Sequence, residues 1–295
     1  HLHLLDIKTG SKLTLDHYND NYFSQHLPAK MEKFTILRSG LEIESRLLIP
    51  HDFDSTRLYP LVLDIHGGPH GRFSDASKLE QQVIATKGYL VLAVNPRGSS
   101  SYGPAFAKAV LGDWGGEDYL DIMAAVDDVC ARGYVDTERM GVMGHSYGGF
   151  MSSWIVGHTD RFAAAVVGAP CINLASMAGT SDIGVSFGET QWGGARADIH
   201  DALVEHSPLS YASKVNTPVL LMHGEEDYRC PIEQSEQYFT ALKRLGKEVE
   251  FVRFPDSRHM FFRGGHPKMR EEYQTRMLEW FERHLRIPAS ANPSD

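Results

Sequence analysis

The sequence predicts an α/β fold built on a mostly parallel sheet with helices on both faces. Short, almost continuously apolar runs, such as residues 60–66 and 89–95, are typical of strands that are buried on both faces. They alternate along the chain with segments whose apolar residues recur at helical spacing, such as residues 117–132. This alternation favours a parallel sheet, because each crossover helix packs back onto the sheet.

The other elements follow in order along the chain. Before residue 59, two short strands around a turn at Gly10 predict a hairpin within residues 1–16, residues 17–32 are polar and irregular, and residues 34–38 and 41–49 predict a second hairpin. These segments form a short N-terminal β extension ahead of the main body. In the body, further strands are predicted at 140–144, 161–169, 218–224 and 249–254, and further helices at about 74–87, 147–156, 234–245 and 268–286.

Composition and charge exclude several classes of protein. The 295 residues are 42% hydrophobic and 23% charged, which is typical of a globular protein. No apolar run is long enough for a transmembrane helix, so we expect no membrane partner. The net charge of −9 argues against nucleic acid as a partner. Three cysteines in no metal-binding spacing favour a reducing compartment, so we predict a cytoplasmic location and no metal site.

Residues 144–149 read Gly-His-Ser-Tyr-Gly-Gly and match the pattern G-x-S-x-G, between a predicted strand and a predicted helix. A serine on such a strand-to-helix turn projects its hydroxyl above the sheet, where it can act as a nucleophile. Small residues at Gly144 and Gly148 allow the strand and the helix to pack closely around the turn. A glycine-rich turn without chemistry is the alternative, and the strand-turn-helix context favours Ser146 as a nucleophile.

A serine nucleophile needs a histidine base, and the base needs a carboxylate that orients it. In this architecture both partners follow the serine along the chain, each on a loop after a later strand. Three acidic residues, Glu225, Glu226 and Asp227, follow the predicted strand at 218–224. His259 follows the last predicted strand, and this position favours it over the other histidines of the chain.

Acyl transfer also needs backbone N–H groups that stabilise an oxyanion. The loop after the first long strand reads His-Gly-Gly-Pro-His at 66–70. Gly67 and Gly68 leave their N–H groups unshielded, and Tyr147, next after the nucleophile, offers a second donor. A plain tight turn is the alternative for the glycine pair.

Six sequence blocks together resemble the prolyl oligopeptidase family of serine peptidases. In order they are HGGPHG at 66–71, NPRGSSSYG at 95–103, GDWGGEDYLD at 112–121, GHSYGG at 144–149, GEEDYRCP at 224–231 and SRHMF at 257–261. The resemblance implies an α/β-hydrolase fold with Ser146, Asp227 and His259 as the catalytic triad. Asp227 is chosen among the three acids because it matches the family's G-x-x-D-x-R-x-P pattern. The blocks are most similar to the acylaminoacyl-peptidase and dipeptidyl-peptidase branch.

The resemblance also implies further site residues. Many members have a tyrosine where this chain has His66, and its hydroxyl donates to the oxyanion. The change moves that role to the backbone N–H of Gly68 or Gly67. Arg97 and Arg229 are predicted to lie near the substrate, and Phe187 or Trp192 to form an aromatic wall of its pocket. The alternatives are a structural role for Arg97 and buried packing for the two aromatic residues.

Members of the family carry a β-propeller before the hydrolase domain. We therefore predict three segments: residues 1–32 as the remnant of a β-propeller and its linker, residues 33–287 as the catalytic domain, and residues 288–295 as a tail. A β-propeller in the same or a separate chain is an expected partner, and a homo-oligomer is a further possibility.

The predicted function is that of a serine peptidase that cleaves short peptides near their N-terminus through an acyl-enzyme. A carboxylesterase with the same triad is the first alternative, because the same machinery cleaves esters. A hydrolase-fold binding module without catalysis is the second. The substrate is a short peptide or an ester, and no cofactor is expected.

Overall fold

The computed structural model describes residues 2–76, 78–193 and 199–285, so the predicted tail at 288–295 lies outside the described residues. Its main sheet has eight strands in the order β10-β9-β8-β7-β5-β6-β4-β3, and β1 and β2 pair separately. The strands are β1 (His3–Leu5), β2 (Lys12–Thr14), β3 (Lys30–Arg38), β4 (Leu41–Ile49), β5 (Tyr59–Ile65), β6 (Leu90–Asn95), β7 (Val135–His145), β8 (Ala164–Gly168), β9 (Val219–Gly224) and β10 (Val249–Phe254).

The sheet is mostly parallel. Strands β5 to β10 pair in parallel, while β3 and β4 form an antiparallel hairpin and β4 joins the edge of β6 in antiparallel register. Strand β5 lies between β6 and β7, and the order of the parallel strands reverses around it. Ligand sites in open α/β sheets lie at the carboxyl ends of strands next to such a reversal. The predicted α/β-hydrolase fold is thereby confirmed.

Eleven helices occur among the described residues. They are α1 (Asp20–Gln25), α2 (Leu79–Thr86), α3 (Pro104–Lys108), α4 (Glu117–Ala131), α5 (Tyr147–Val156), α6 (Leu174–Thr180), α7 (Gly184–Trp192), α8 (His200–Glu205), α9 (Glu233–Arg244), α10 (Phe261–Gly264) and α11 (Pro267–His284), and a 3₁₀ helix spans Pro208–Lys214. The predicted helix at 74–87 is shorter than expected, because Asp75 in its first turn instead pairs with Arg46 of β4, at 2.8 Å.

No helix in the described part of the chain is long and apolar enough to cross a membrane.

Helices cover both faces of the sheet, as predicted. On one face, alternate β5 residues such as Leu61 and Leu63 pack in a core with buried residues of α4, α5 and α9. On the other face, Val62 packs in a second core with residues of α2 and α11. All seven residues of β5 are buried, which explains why its sequence reads as an almost continuous apolar run.

The N-terminal segment lies apart from these cores. Strands β1 and β2 form a two-stranded antiparallel sheet, as the hairpin pattern predicted. The segment 17–32, predicted as irregular, contains α1, in which no residue is buried. Strand β3 begins at Lys30 and so runs across the predicted boundary between residues 32 and 33. The division into a propeller remnant and a catalytic domain stays a prediction.

Candidate active site

Ser146 lies on a strained turn between β7 and α5. Its backbone has φ 65° and ψ −122°, a conformation that residues with a side chain rarely adopt. Its N–H donates to Gly168 O at the end of β8, at 2.9 Å. The turn is therefore held by the neighbouring strand, and Ser146 sits at the carboxyl edge of the sheet. Strain of this kind is common at functional sites.

Close packing around the turn requires glycine at three positions. A Cβ added at Gly144 would lie 2.3 Å from Gly148 O, and one at Gly148 would lie 2.2 Å from Ile65 O. At Gly149 it would lie 2.5 Å from Gly168 O. Helix α5 thus starts in contact with the backbone of three strand ends, as the G-x-S-x-G pattern predicted.

Asp227 and His259 lie together, on the loops after β9 and β10. Asp227 Oδ2 and His259 Nδ1 are 2.6 Å apart. Burial alone would raise the pKa of Asp227, but hydrogen bonds from His223 and His259 hold it well below its usual range. Burial likewise lowers the pKa of His259, and the hydrogen bond and charge of Asp227 outweigh this, so the pKa is raised. The carboxylate is thus ionised, and its hydrogen bond places the proton of a neutral His259 on Nδ1.

The surroundings of Asp227 contain a residue that sequence reasoning missed. His223, fully buried at the end of β9, places Nε2 3.2 Å from Asp227 Oδ2 and 2.7 Å from Cys230 O. The backbone N–H groups of Arg229 and Cys230 donate to Asp227 Oδ1 at 2.9 and 3.0 Å. Four donors therefore surround one buried carboxylate and orient it toward His259. The only available signal was the histidine in the run LLMHG that ends β9.

Ser146 and His259 line the same two cavities. In the described residues no hydrogen bond joins the Ser146 hydroxyl to His259, and the hydroxyl lies 4.0 Å from Cys230 Sγ. Catalytic hydrogen bonds often shorten only in the complex with substrate. The ring of His145 packs behind His259, with centroids 4.8 Å apart.

Two glycines lie opposite the serine. A Cβ at Gly67 would lie 3.5 Å from Ser146 Cβ, so this loop is in contact with the nucleophile. Gly68 has φ 134° and borders both cavities, and a Cβ there would clash with His70 N at 2.3 Å. His66 has its ring nitrogens 2.8 Å from Gly67 O and 2.9 Å from Ser99 Oγ, so its ring is held within the loop.

Tyr147 is anchored away from the site. Its hydroxyl donates to Asp118 Oδ2 at 2.5 Å, and its side chain is 1% exposed. The anchor fixes the first turn of α5, where the N–H of Tyr147 follows the serine. Burial raises the pKa of the Asp118 carboxyl to about 7, against the hydrogen bond from Tyr147.

A cavity of about 180 Å³ opens beside Ser146, and because most of its lining side chains are apolar we call it the apolar cavity. Its wall contains Phe187 and Arg229, two of the residues predicted near the substrate. Trp114, which sequence reasoning did not select, also lines it and packs edge-on against Phe187 with ring centroids 5.0 Å apart. The remaining apolar residues of the wall are Cys171, Met177, Ile183 and Cys230.

The other two predicted substrate residues lie farther from this cavity. Trp192 is buried behind Trp114, with ring centroids 6.3 Å apart, and does not line the cavity. Arg97 is buried and donates to both carboxylate oxygens of Asp121 at 2.8 Å. These contacts support the structural alternative that was considered for Arg97 and the packing alternative for Trp192.

Comparison with known proteins gives relatives of one kind. The chain is 45% identical over 271 residues to the uncharacterized peptidase YuxL of Bacillus subtilis, a match that covers 90% of this chain and 41% of the relative. It is 36% identical over 228 residues to the acylamino-acid-releasing enzyme of Sus scrofa, covering 75% of this chain and 31% of the relative. The acylaminoacyl peptidase structure of Pyrococcus horikoshii superposes with a TM-score of 0.90 at 33% identity, over 94% of this chain and 45% of that one.

The chain thus spans less than half the length of these relatives. A family model described as the prolyl oligopeptidase family matches residues 75–287, which is more than half of the chain. The matched region contains the strained serine turn and both loops that bring Asp227 to His259. On this evidence the chain belongs to the prolyl oligopeptidase family.

Proposed function

We propose that this chain is the catalytic part of a serine peptidase, with Ser146 as nucleophile, His259 as general base and Asp227 as the orienting acid. One observation carries the proposal: a buried, ionised Asp227 holds His259 at 2.6 Å, at the edge of a cavity that also contains the strained Ser146. A buried carboxylate, a histidine and a serine at the carboxyl edge of one sheet are the three side chains that acyl transfer by a serine nucleophile requires.

In the proposed mechanism Ser146 Oγ attacks the carbonyl carbon of the scissile bond. His259 Nε2 accepts the hydroxyl proton, and Asp227 keeps the other ring proton on Nδ1 and stabilises the imidazolium. The N–H groups of Tyr147 and of Gly68 or Gly67 donate to the oxyanion. The leaving amine takes the proton from His259, and water then attacks the acyl-enzyme with His259 again as base.

The apolar cavity supports an apolar acyl residue. Its wall of Trp114, Phe187 and Ile183 can bury a hydrophobic side chain, and it ends at Ser146. Relatives are named acylamino-acid-releasing enzyme and dipeptidyl-peptidase 5. We therefore propose release of an acylated residue or a dipeptide from the N-terminus of short peptides.

The predicted partners and location belong to the same proposal. The relatives are more than twice as long as their match to this chain, which is consistent with a β-propeller partner. A cytoplasmic location and a homo-oligomer remain predictions.

Substitution of the nucleophile tests the chemistry. Ser146→Ala should lower kcat for an acetyl-phenylalanine anilide by a factor on the order of 10⁶, because the acyl-enzyme cannot form. It should also abolish labelling by a fluorophosphonate probe. The exposed Ser24 of α1 gives the matched control, since Ser24→Ala leaves the site unchanged. Wild-type turnover by Ser146→Ala would refute the assignment.

A comparison of substrates tests the peptidase. The wild-type protein should cleave both the anilide and a short-chain nitrophenyl ester. If it cleaves the ester but has no measurable activity on the anilide or on acetylated peptides, the carboxylesterase alternative is correct. If it is not labelled by the fluorophosphonate, the binding-module alternative is correct.

A further inference from the structure

A second cavity, of about 300 Å³, also opens at Ser146 and His259. Its lining includes residues of the second core, whereas the apolar cavity is lined by residues of the first core, so the two cavities lie on opposite faces of the sheet. Apolar residues of the second core, such as Tyr273 and Met277 of α11, form its floor. Five charged residues line part of its wall: Asp64, Arg72, Lys78, Glu80 and Arg263.

The two cavities share three residues: Gly68, Ser146 and His259. These are the proposed oxyanion loop, nucleophile and base, so the scissile bond of a bound substrate would lie where the cavities meet. The acyl part and the leaving part of a substrate extend in different directions from that bond. If the apolar cavity holds the acyl residue, the second cavity is left for the leaving group.

The position of the base supports this assignment. The leaving amine takes its proton from His259, so it must depart on the side of that ring. The chain that follows His259 builds the second cavity, through Met260, Phe262 and Arg263. Within the apolar cavity, by contrast, His259 is the sole contribution of this loop.

The charged residues of the second cavity include one close ion pair and one cation without a close carboxylate. Glu80 Oε1 lies 3.6 Å from Arg263 Nε, and Asp64 accepts a hydrogen bond from Gln81 at 2.8 Å. Lys78 is half-buried, and its ammonium lies 4.1 Å above the ring of Phe73. Among the residues that the structure describes, no carboxylate lies within 4.0 Å of that ammonium, and Asp64 and Glu80 attract it only from farther away.

Burial shifts the pKa of one acid and one base that line the second cavity. It raises the pKa of the Asp64 carboxyl and lowers the pKa of the Lys78 ammonium, and the attraction between these two groups opposes both shifts without cancelling them. A partly buried cation gains most from an anion that arrives with a ligand, because that ion pair replaces the water lost on burial. A leaving group that ends in a carboxylate would supply this anion to Lys78.

We propose that the second cavity is the leaving-group subsite and that Lys78 binds the free C-terminal carboxylate of a short leaving peptide. The inference rests on the proposed function. It makes Lys78 a specificity-determining residue for the leaving side. A volume of about 300 Å³ is at the small end of ligand pockets, so the favoured leaving group is an amino acid or a dipeptide.

A pair of substrates that differ in one group tests the proposal. Acetyl-Phe-Ala carries the free carboxylate, and acetyl-Phe-Ala amide lacks that charge. The wild-type protein should show at least about a tenfold higher kcat/KM for the acid, as expected for one charge-assisted hydrogen bond. Lys78→Met should reduce this ratio to within about twofold, mainly through KM, because it removes the ammonium and retains the stem.

Control variants and a second substrate separate this proposal from the first one. Lys87→Met changes an exposed lysine just after helix α2, whereas Lys78 lies just before that helix. This variant should keep the wild-type ratio of kcat/KM between the acid and the amide. Hydrolysis of the nitrophenyl ester, which has no carboxylate on its leaving group, should persist in Lys78→Met, because Ser146, His259 and Asp227 are intact. If ester hydrolysis and fluorophosphonate labelling persist while the ratio is equal in wild type and Lys78→Met, the subsite is refuted and the proposed function stands. If wild-type labelling fails, the proposed function itself is refuted.

A measurement on the unmodified protein covers the case in which Lys78→Met does not fold. Ala-Ala should inhibit ester hydrolysis competitively at lower concentration than Ala-Ala amide. Equal inhibition by the two dipeptides would overturn the carboxylate assignment.

Discussion

At the scale of single residues, the pKa of His259 determines how activity depends on pH. Burial lowers this pKa, and the hydrogen bond and charge of Asp227 raise it above its ordinary value of 6.5. The base must be neutral to accept a proton from Ser146. Activity is therefore lost as pH falls through the raised pKa, and kcat/KM for the nitrophenyl ester should reach half its maximum above pH 6.5.

The pH dependence of kcat/KM in a variant of Asp227 identifies the cause of the raised pKa of His259. Asp227→Asn removes the charge that raises the pKa, so the acidic limb should move to lower pH while the maximal rate falls by roughly 10⁴-fold. A wild-type limb below pH 6.5, or one that does not move in Asp227→Asn, would contradict this account of the pair.

At the scale of elements, the turn between β7 and α5 depends on glycine because backbone atoms occupy the space. A methyl group at position 144 would lie 2.3 Å from Gly148 O, which rigid backbone cannot relieve. Gly144→Ala should lower the free energy of unfolding by about 1–3 kcal/mol, as overpacking does, and reduce activity by displacing Ser146. Urea unfolding and ester hydrolysis measure the two effects.

A glycine in an ordinary helix provides the control. Gly179 of α6 has nothing within 4 Å of an added Cβ, and its φ is not in the left-handed region. Gly179→Ala should therefore leave the free energy of unfolding unchanged or raise it by up to about 1 kcal/mol. If the two variants unfold at the same urea concentration, crowding at the turn is not the cause.

The same distinction between local and distant causes explains what could be predicted from the sequence. Strands such as β5 and β6 are buried on both faces, so their own residues carry the signal, and α5 and β10 were predicted at their observed bounds. Helices α6, α7 and α8 were not predicted. They are short, and their burial comes from distant partners, as when Phe187 packs against Trp114.

The candidate site divides in the same way. Ser146, Asp227 and His259 each follow a recognisable strand, so chain order selected the serine and the histidine and narrowed the acid to three residues, among which the family pattern selected Asp227. His223 and Lys78 were missed for different reasons. The role of His223 appears only when the loop after β9 folds back and places Asp227 and Cys230 O at its ring, and the role of Lys78 depends on a cavity closed by α11, far along the chain. A partly buried lysine with no described carboxylate within 4.0 Å is visible only in three dimensions.

At the scale of the whole molecule, stability resides in the two cores that sandwich the eight-stranded sheet. None of residues 2–28 is buried, although ten large hydrophobic side chains occur there. They are Leu2, Leu4, Leu5, Ile7, Leu13, Leu15, Tyr18, Tyr22, Phe23 and Leu27. A two-stranded hairpin has little stability by itself, so β1 and β2 contribute little to the free energy of unfolding.

Truncation at two points therefore should give opposite results. Deletion of residues 1–26 removes no buried side chain among the described residues 2–26, so the free energy of unfolding should change by no more than about 0.5 kcal/mol and ester hydrolysis should persist. The deletion stops before Leu27, whose carbonyl contacts His51 Nε2 at 2.5 Å. Deletion through residue 49 instead removes β3 and β4 with Ile43, Leu47 and Leu48, all fully buried, and exposes the edge of β6. The chain without residues 1–49 should fail to fold. If deletion of residues 1–26 also abolishes cooperative unfolding in urea, the N-terminal segment is part of the folding unit.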